Sequence, residues 1–196
     1  MSTQTRKERE RAERHQRIID AARELAEADG WEAVTVRKLA ERIEYSQPVL
    51  YSHFAGKSAI VAAVAVQGCV DLTQELRKAK AGTETHAATL TAMARGYLDF
   101  AAANPALYDA MFVLNVDLVF GLDAPQPLRD AFAEIENPFR PYITDPDELG
   151  ARAETAWSTL HGLATLERSG RLRPELRDRR LEIVVGEWLA ALPQPR

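Results

Sequence analysis

"SQPVLYSHFAGK", Ser46 to Lys57, sets the reading of the whole chain. Ser46 suits a helix N-cap. Pro48 suits the first turn, where a missing N–H leaves no helical bond unmade. Leu50 and Phe54, four apart, share one face of that helix, which points Gln47, Pro48, Val49, Tyr51 and Ser52 away from it. Just upstream, "TVRKLAERI" reads as a second short helix over 36–43, with Thr35 as N-cap and Leu39, Ala40 and Ile43 as its apolar face. Only "EYS" joins the two, and two short helices with about three residues between them make a helix-turn-helix. A preceding helix over 9–29 carries Ile18, Ala22, Leu25 and Ala26 at helical spacing, and Gly30 stops it.

The same periodicity runs outward from this unit. A long helix over 57–80 carries Ile60, Val64, Cys69 and Leu72; Gly82 and Thr83 punctuate, and a helix over 84–103 follows. Asn104 and Pro105 read as cap and first position of the next. Residues 121–127, "GLDAPQP", read as a loop. Leu128, Phe132, Ile135 and Phe139 form a stripe expected to kink at Pro138. Asp145-Pro146-Asp147-Glu148 has the pattern of a capping box and opens a helix over 146–168; Gly170 ends it, and Pro174 opens the last, to 192. No strand pattern, repeat or low-complexity segment interrupts, so the fold class is all-α.

Composition bounds the rest. At 196 residues and 46% hydrophobic, the chain can bury a sizeable core as one domain or two small units. A single cysteine, Cys69, excludes an internal disulfide and fits a reducing compartment. A charged N-terminal stretch and no apolar run of 18 give no expected signal peptide or membrane span, hence a cytoplasmic expectation. The net charge of −4 is unevenly spread: residues 1–17 hold six basic against three acidic residues, and residues 61–196 hold fourteen against nineteen. A basic arm on an acidic body fits local contact with a polyanion; a solvated helix start of mixed charge is the plainer alternative.

In a DNA-binding helix-turn-helix the second helix lies in the major groove with its N-terminal residues at the base edges. Gln47 there can bond adenine through both ends of its amide, and apolar or aromatic surface can meet a thymine methyl. Tyr51, His53 and Lys57 can donate to phosphates, which fixes register without reading sequence. Periodicity alone equally allows a helical corner with its polar residues merely solvated.

"TVRKLAERIEYSQPVLYSHFAGKSAI", Thr35 to Ile60, resembles the DNA-binding signature of the tetracycline-repressor-like (TetR/AcrR) family, with "RKLA" and "QPVLYSHF" as its most specific parts and a span of about 14–60 in all. The resemblance implies double-stranded DNA with a palindromic operator as partner, a homodimer, and a small-molecule effector. Carried over by position, Thr35, Arg37, Ser46, Gln47, Pro48, Val49, Tyr51, Ser52, His53 and Lys57 make up the DNA-binding set. Arg37 would reach guanine, Gln47 adenine, Pro48 and Tyr51 thymine methyls or backbone, and His53 and Lys57 phosphates. Glu44 stands where the family usually has glycine; if that position is left-handed, the cost is roughly 1 kcal/mol. Tyr45 and Val49 also depart from the pattern, which leaves the operator sequence open.

In the C-terminal half, "AWSTLHGLATLERSG", Ala156 to Gly170, and "NPALYDAMF", 104–112, are similar to a Trp-His-Gly class of C-terminal domain in the same family. Trp157 and His161, four apart, share a face, and both a packed core or subunit interface and an effector contact fit them. Met93, Tyr97, Tyr108, Met111 and Phe112 make equally good core or the lining of a mostly apolar cavity; the family implies the cavity. His15, His53, His86 and His161 show no metal-ligand spacing, and no nucleophile elbow, phosphate loop or dinucleotide fingerprint occurs. No catalytic residue, metal or cofactor is expected. The expectation is a two-part all-α chain, with residues 1–56 as a three-helix DNA-binding domain and 57–196 as a dimerisation and effector bundle. Its function would be sequence-specific transcriptional regulation, as a repressor released by a small apolar effector. Two alternatives stand beside it: a constitutive DNA-binding dimer without effector, and a helical ligand-binding protein whose DNA unit has decayed.

Overall fold

The structure, a computed structural model, describes residues 3–116 and 118–193; the outermost residues of the two expected domains, 1–2 and 194–196, lie outside these. Nine α-helices and no strand occur among the described residues: α1 Thr3–Asp29, α2 Val36–Arg42, α3 Gln47–Tyr51, α4 Lys57–Lys80, α5 His86–Ala103, α6 Pro105–Phe112, α7 Gln126–Glu136, α8 Pro146–Arg168 and α9 Arg177–Ala190. Short 3-10 turns lie at Trp31–Ala33, Gly121–Asp123 and Pro174–Leu176. The chain forms two compact units, Met1–Gly68 with Asn104–Phe120, and Cys69–Ala103 with Gly121–Arg196.

In the first unit, Ile18, Ala22, Leu25 and Ala26 of α1 pack out of solvent with Leu39, Ala40 and Ile43 of the α2 region and with Leu50 and Phe54. Gly30, at φ 80, ends α1 and sends the chain into the 3-10 turn. Thr35 caps α2 as its sequence predicts, accepting from the Lys38 N–H at 3.2 Å. The turn to α3 then closes as a Schellman-type stop: Tyr45 N–H reaches the Ala40 carbonyl at 2.9 Å, and Glu44 sits left-handed at φ 57, the one non-glycine residue to do so among those described. Ser46 occupies the N-cap position of α3, yet its hydroxyl caps nothing. The reason is local. Pro48 has no N–H to offer, and the Val49 N–H already goes to the Ser46 carbonyl at 3.0 Å.

Asn104 departs from expectation in a similar way. It precedes α6 but makes no side-chain cap; its Oδ1 accepts from Arg23 of α1 at 3.0 Å. The N–H groups freed at the start of α6 go to Glu27 of α1 instead, Ala106 N–H at 3.0 Å and Leu107 N–H at 2.9 Å.

In the second unit α5 packs against α8 and α9, and α7 against α8. Asp145 caps α8 through the Glu148 N–H at 2.9 Å, and Gly170, at φ 67, ends it with Arg171 N–H on the Leu166 carbonyl at 3.0 Å. Two expectations are corrected. The helix over 128–139 does not kink at Pro138 but ends at Glu136 and passes through tight turns. Asn137 keeps α backbone at φ −50, ψ −40, but Pro138 after it has no N–H to extend the ladder. Pro174 opens a 3-10 turn, and α9 starts only at Arg177. By length and composition α4 could cross a membrane, but half of that apolar window is buried inside the protein, as in a core helix.

A candidate nucleic-acid interface

The inward face of α3 is fixed first: Leu50 is 1% and Phe54 6% exposed. With those two locked into the three-helix core, Ser46, Gln47, Pro48 and Ser52 stand in solvent, Val49 is half-buried and Tyr51 is 56% exposed. An exposed tyrosine beside an exposed glutamine, on a helix held only by its opposite face, is free to meet a flat or grooved partner.

The supporting residues carry more structure than the sequence implied. Arg37 projects from α2 into solvent, where its Nε donates to Glu41 at 2.9 Å; that hydrogen bond and charge raise its pKa further. Any base contact by Arg37 therefore competes with Glu41. Lys57, at the start of α4, donates to the Trp31 carbonyl at 2.5 Å and keeps two further ammonium protons for an outside acceptor. Tyr45 lies under the guanidinium of Arg17, 5.5 Å from its ring centre, which ties the arm of α1 to the turn. His53 is half-buried and its ring lies 5.9 Å from that of His15. Burial first, then His15, Arg11 and Arg14, lower its pKa. His15, lowered by burial and Arg11, escaped the sequence reading: on a helix start crowded with charge, one more polar residue gives no signal. Thr35 is occupied as the α2 cap.

The residues expected around an effector fall into two groups. Met93 and Tyr97 are fully buried in the second unit. There the Tyr97 hydroxyl accepts from the Trp157 indole at 3.0 Å, and the Trp157 and His161 rings lie 6.2 Å apart. Burial, with Arg168, lowers the pKa of His161. Tyr108, Met111 and Phe112 belong to the first unit, where the Tyr108 and Phe112 rings meet edge to face at 5.0 Å. Among the described residues no group of three histidine, cysteine or carboxylate side chains could hold a metal ion. Burial pushes the Cys69 thiol up to about 12, which makes it an inert core residue.

Residues 18–64 match the family model described as bacterial regulatory proteins, tetR family, and residues 90–187, half of the chain, match the tetracyclin repressor-like C-terminal domain. The HTH-type transcriptional regulator YobS of Bacillus subtilis is 34% identical over 93 residues, 47% of this chain and 48% of that one. The HTH-type transcriptional regulator Rv0681 of Mycobacterium tuberculosis is 28% identical over 156 residues, 78% of this chain and 69% of that one. The chain thus spans about half of YobS and just over two thirds of Rv0681. A solved protein from Rhodococcus sp. RHA1, of unknown function, shares the fold with a TM-score of 0.74 at 23% identity, covering 92% of this chain and 95% of that one.

Proposed function

The chain belongs to the tetR family of bacterial regulatory proteins, DNA-binding transcriptional regulators and not enzymes, and from that premise we propose that it is a homodimeric repressor, acting in the cytoplasm on a palindromic operator and released by a small, largely apolar effector. The observation that carries the DNA half is the division of α3 into a buried face of Leu50 with Phe54 behind it, and an exposed face led by Gln47, Pro48 and Tyr51. A helix held from behind and bare in front fits the major groove, where a glutamine can tell adenine from other bases.

Support for the homodimer comes from α8 and α9. Leu166 and Ile183 are 37% and 47% exposed, and a Cβ added at Gly162 or Gly186 would meet nothing within 4 Å. Apolar side chains beside bare glycines leave room for a close helix neighbour, and a second copy satisfies both under two-fold symmetry. Docking both recognition helices on one face of DNA then requires them about 34–36 Å apart, one turn of the duplex, so a splay of a few ångströms releases one of them. An effector achieves this only by binding the splayed state more tightly. For its chemistry, Tyr97, Trp157 and His161 offer aromatic surface with few polar tips, which suits a largely apolar ligand.

Selection of bound duplexes from a random pool tests the reading. The expected product is an enriched site with two inverted halves; retention without enrichment would refute sequence-specific regulation. Apolar compounds screened against the thermal melt test the effector. If none shifts the melt or the DNA affinity, the protein is a constitutive DNA-binding dimer.

A further inference from the structure

Two histidines meet beside the candidate interface, one on α1 and one on the turn after α3. The His15 ring stacks on Phe54, with centroids 4.3 Å apart and planes 19° from parallel, and lies 5.9 Å from the His53 ring. The Nδ1 atom of His53 is buried without a hydrogen-bond partner. The charges acting on this pair are basic: Arg11 of α1 on both rings, and Arg14 of α1 on His53. Among the described residues no carboxylate of α1, α2, α3 or α4 shifts either ring, and Lys57 of α4 is turned to the Trp31 carbonyl. Among the described residues the two rings thus feel basic neighbours and no carboxylate, an arrangement that an arriving anion relieves.

We propose that Arg11, Arg14, His15 and His53 form a site for one backbone phosphate of DNA, and that His15 takes up a proton as the phosphate binds. This rests on the DNA-binding reading above and adds the chemistry of one contact. Burial and the neighbouring arginines keep both rings below their ordinary 6.5, so the free protein presents them neutral at pH 7. A phosphate reverses the local field and favours imidazolium. His53 is the poorer place for the proton, since charging it puts an N–H at the buried, partnerless Nδ1. Left neutral, it carries its hydrogen on Nε2 and donates that to a phosphate oxygen. His15 is the better place, because its ring lies flat on Phe54, whose face favours a cation. Proton and phosphate then arrive together, and no other bond is made or broken. Affinity rises as pH falls through the window between the free and bound values of His15, by up to about tenfold per pH unit for one proton, and is level above that window.

Calorimetry with a duplex selected from the random pool, run in two buffers of different ionisation heat, counts the protons. The expected result is about one proton per protomer near neutral pH and none near pH 9, from the single-proton linkage. His15→Gln should bind but lose both the uptake and the pH slope. His53→Gln should bind several-fold more weakly at every pH and keep the uptake. A proton NMR titration of the wild-type His15 ring, with and without duplex, reads the same shift upward should either variant fold poorly. Binding with equal heats in both buffers, or uptake that survives in His15→Gln, overturns the proposal alone. Absence of binding at every pH overturns the DNA-binding reading with it.

Discussion

The indole Nε1 of Trp31 donates to the carbonyl of Ala106 at 2.7 Å across 75 residues of sequence. Beside it, Glu27 accepts from the Ala106 and Leu107 N–H groups. Donor and acceptor ends of the same turn of α6 are thus held by the end of α1 and the 3-10 turn after it. Glu27→Ala leaves two part-buried N–H groups unmet and should cost about 1–3 kcal/mol, read from urea unfolding. Glu27→Gln keeps one acceptor oxygen and should recover part of the loss. Equal stability of Glu27→Ala and wild type would show that water replaces the cap at no cost.

Glu44 is held left-handed at φ 57, where an L side chain costs roughly 1–2 kcal/mol. Glycine removes that strain but adds about 0.5–1 kcal/mol of chain entropy to the unfolded state. Glu44→Gly should therefore stabilise by about 0.5–1 kcal/mol, seen as a higher denaturant midpoint with an unchanged slope. Its affinity for the selected duplex should stay the same. A fall in stability would mean that the Glu44 side chain makes a compensating contact.

What was legible in the sequence was mostly what closes within one turn. Thr35, Asp145 and Gly170 act as predicted because their partners lie three to five residues away. The inward turn of Leu50 and Phe54 followed from a spacing of four. Asn104 failed because Arg23, 81 residues distant, outcompetes the local N–H groups for its oxygen, and those groups found a carboxylate just as remote. The stop at Glu136 was missed because the apolar stripe runs on to Phe139, which is fully buried although it lies beyond the helix and meets Trp188 at 6.0 Å. Periodicity reports which side chains are buried, not whether the backbone between them stays helical. Of the candidate interface, the exposed row on α3 was readable, whereas His15 and the pairing of Arg37 with Glu41 depend on contacts among residues that each look merely polar.

Gln47 and Lys57 should separate reading from holding. Gln47→Ala removes an exposed amide from the start of α3 and should relax preference at one base step, costing about 1–3 kcal/mol on the selected duplex alone. Lys57→Ala should weaken all sequences alike and reduce the salt slope by about one unit. Isotherms across salt, on selected and scrambled duplexes, distinguish them. A Gln47→Ala loss of the same size on both duplexes would remove Gln47 from the base-reading set.

Stability should fall with acid in two stages. All four histidines are lowered from 6.5, burial being the largest cause in each. The folded state keeps them neutral while the unfolded chain takes up protons near 6.5, so their contribution is whole above that value and is lost as pH drops below it. The second stage belongs to Glu134. Burial alone would raise its carboxyl, but hydrogen bonds and charge from Lys80 and Arg77 outweigh this and hold it below 4.5. Its contribution is present above 4.5 and is lost as pH falls through its lower folded value. Urea midpoints from pH 8 to pH 3 should show both. His86, its ring tilted against that of Tyr142 at 4.2 Å and with a buried, partnerless Nε2, makes the first stage testable: His86→Phe should flatten part of it, and an unchanged profile would exclude His86 as a contributor.

Gly68 of α4 leaves no room for a side chain on the side of α6. A Cβ there would lie 2.6 Å from Met111 Sδ and 2.9 Å from both Met111 Cγ and Leu107 Cδ1, with Met111 only 3% and Leu107 0% exposed. Gly68→Ala should therefore overpack this contact and cost about 1–3 kcal/mol. Met111→Ala alone should cost about 2–5 kcal/mol by leaving a cavity. In the double variant the new methyl enters the space that Met111 vacates, so the combined loss should be smaller than the sum, by about 0.5–3 kcal/mol for residues in direct contact. The same packing opposes enlargement at position 111: Met111→Trp should lower the melting temperature. Additive losses in the cycle would mean that α4 and α6 shift apart without resistance, and that the close approach at Gly68 places no demand on the residue there.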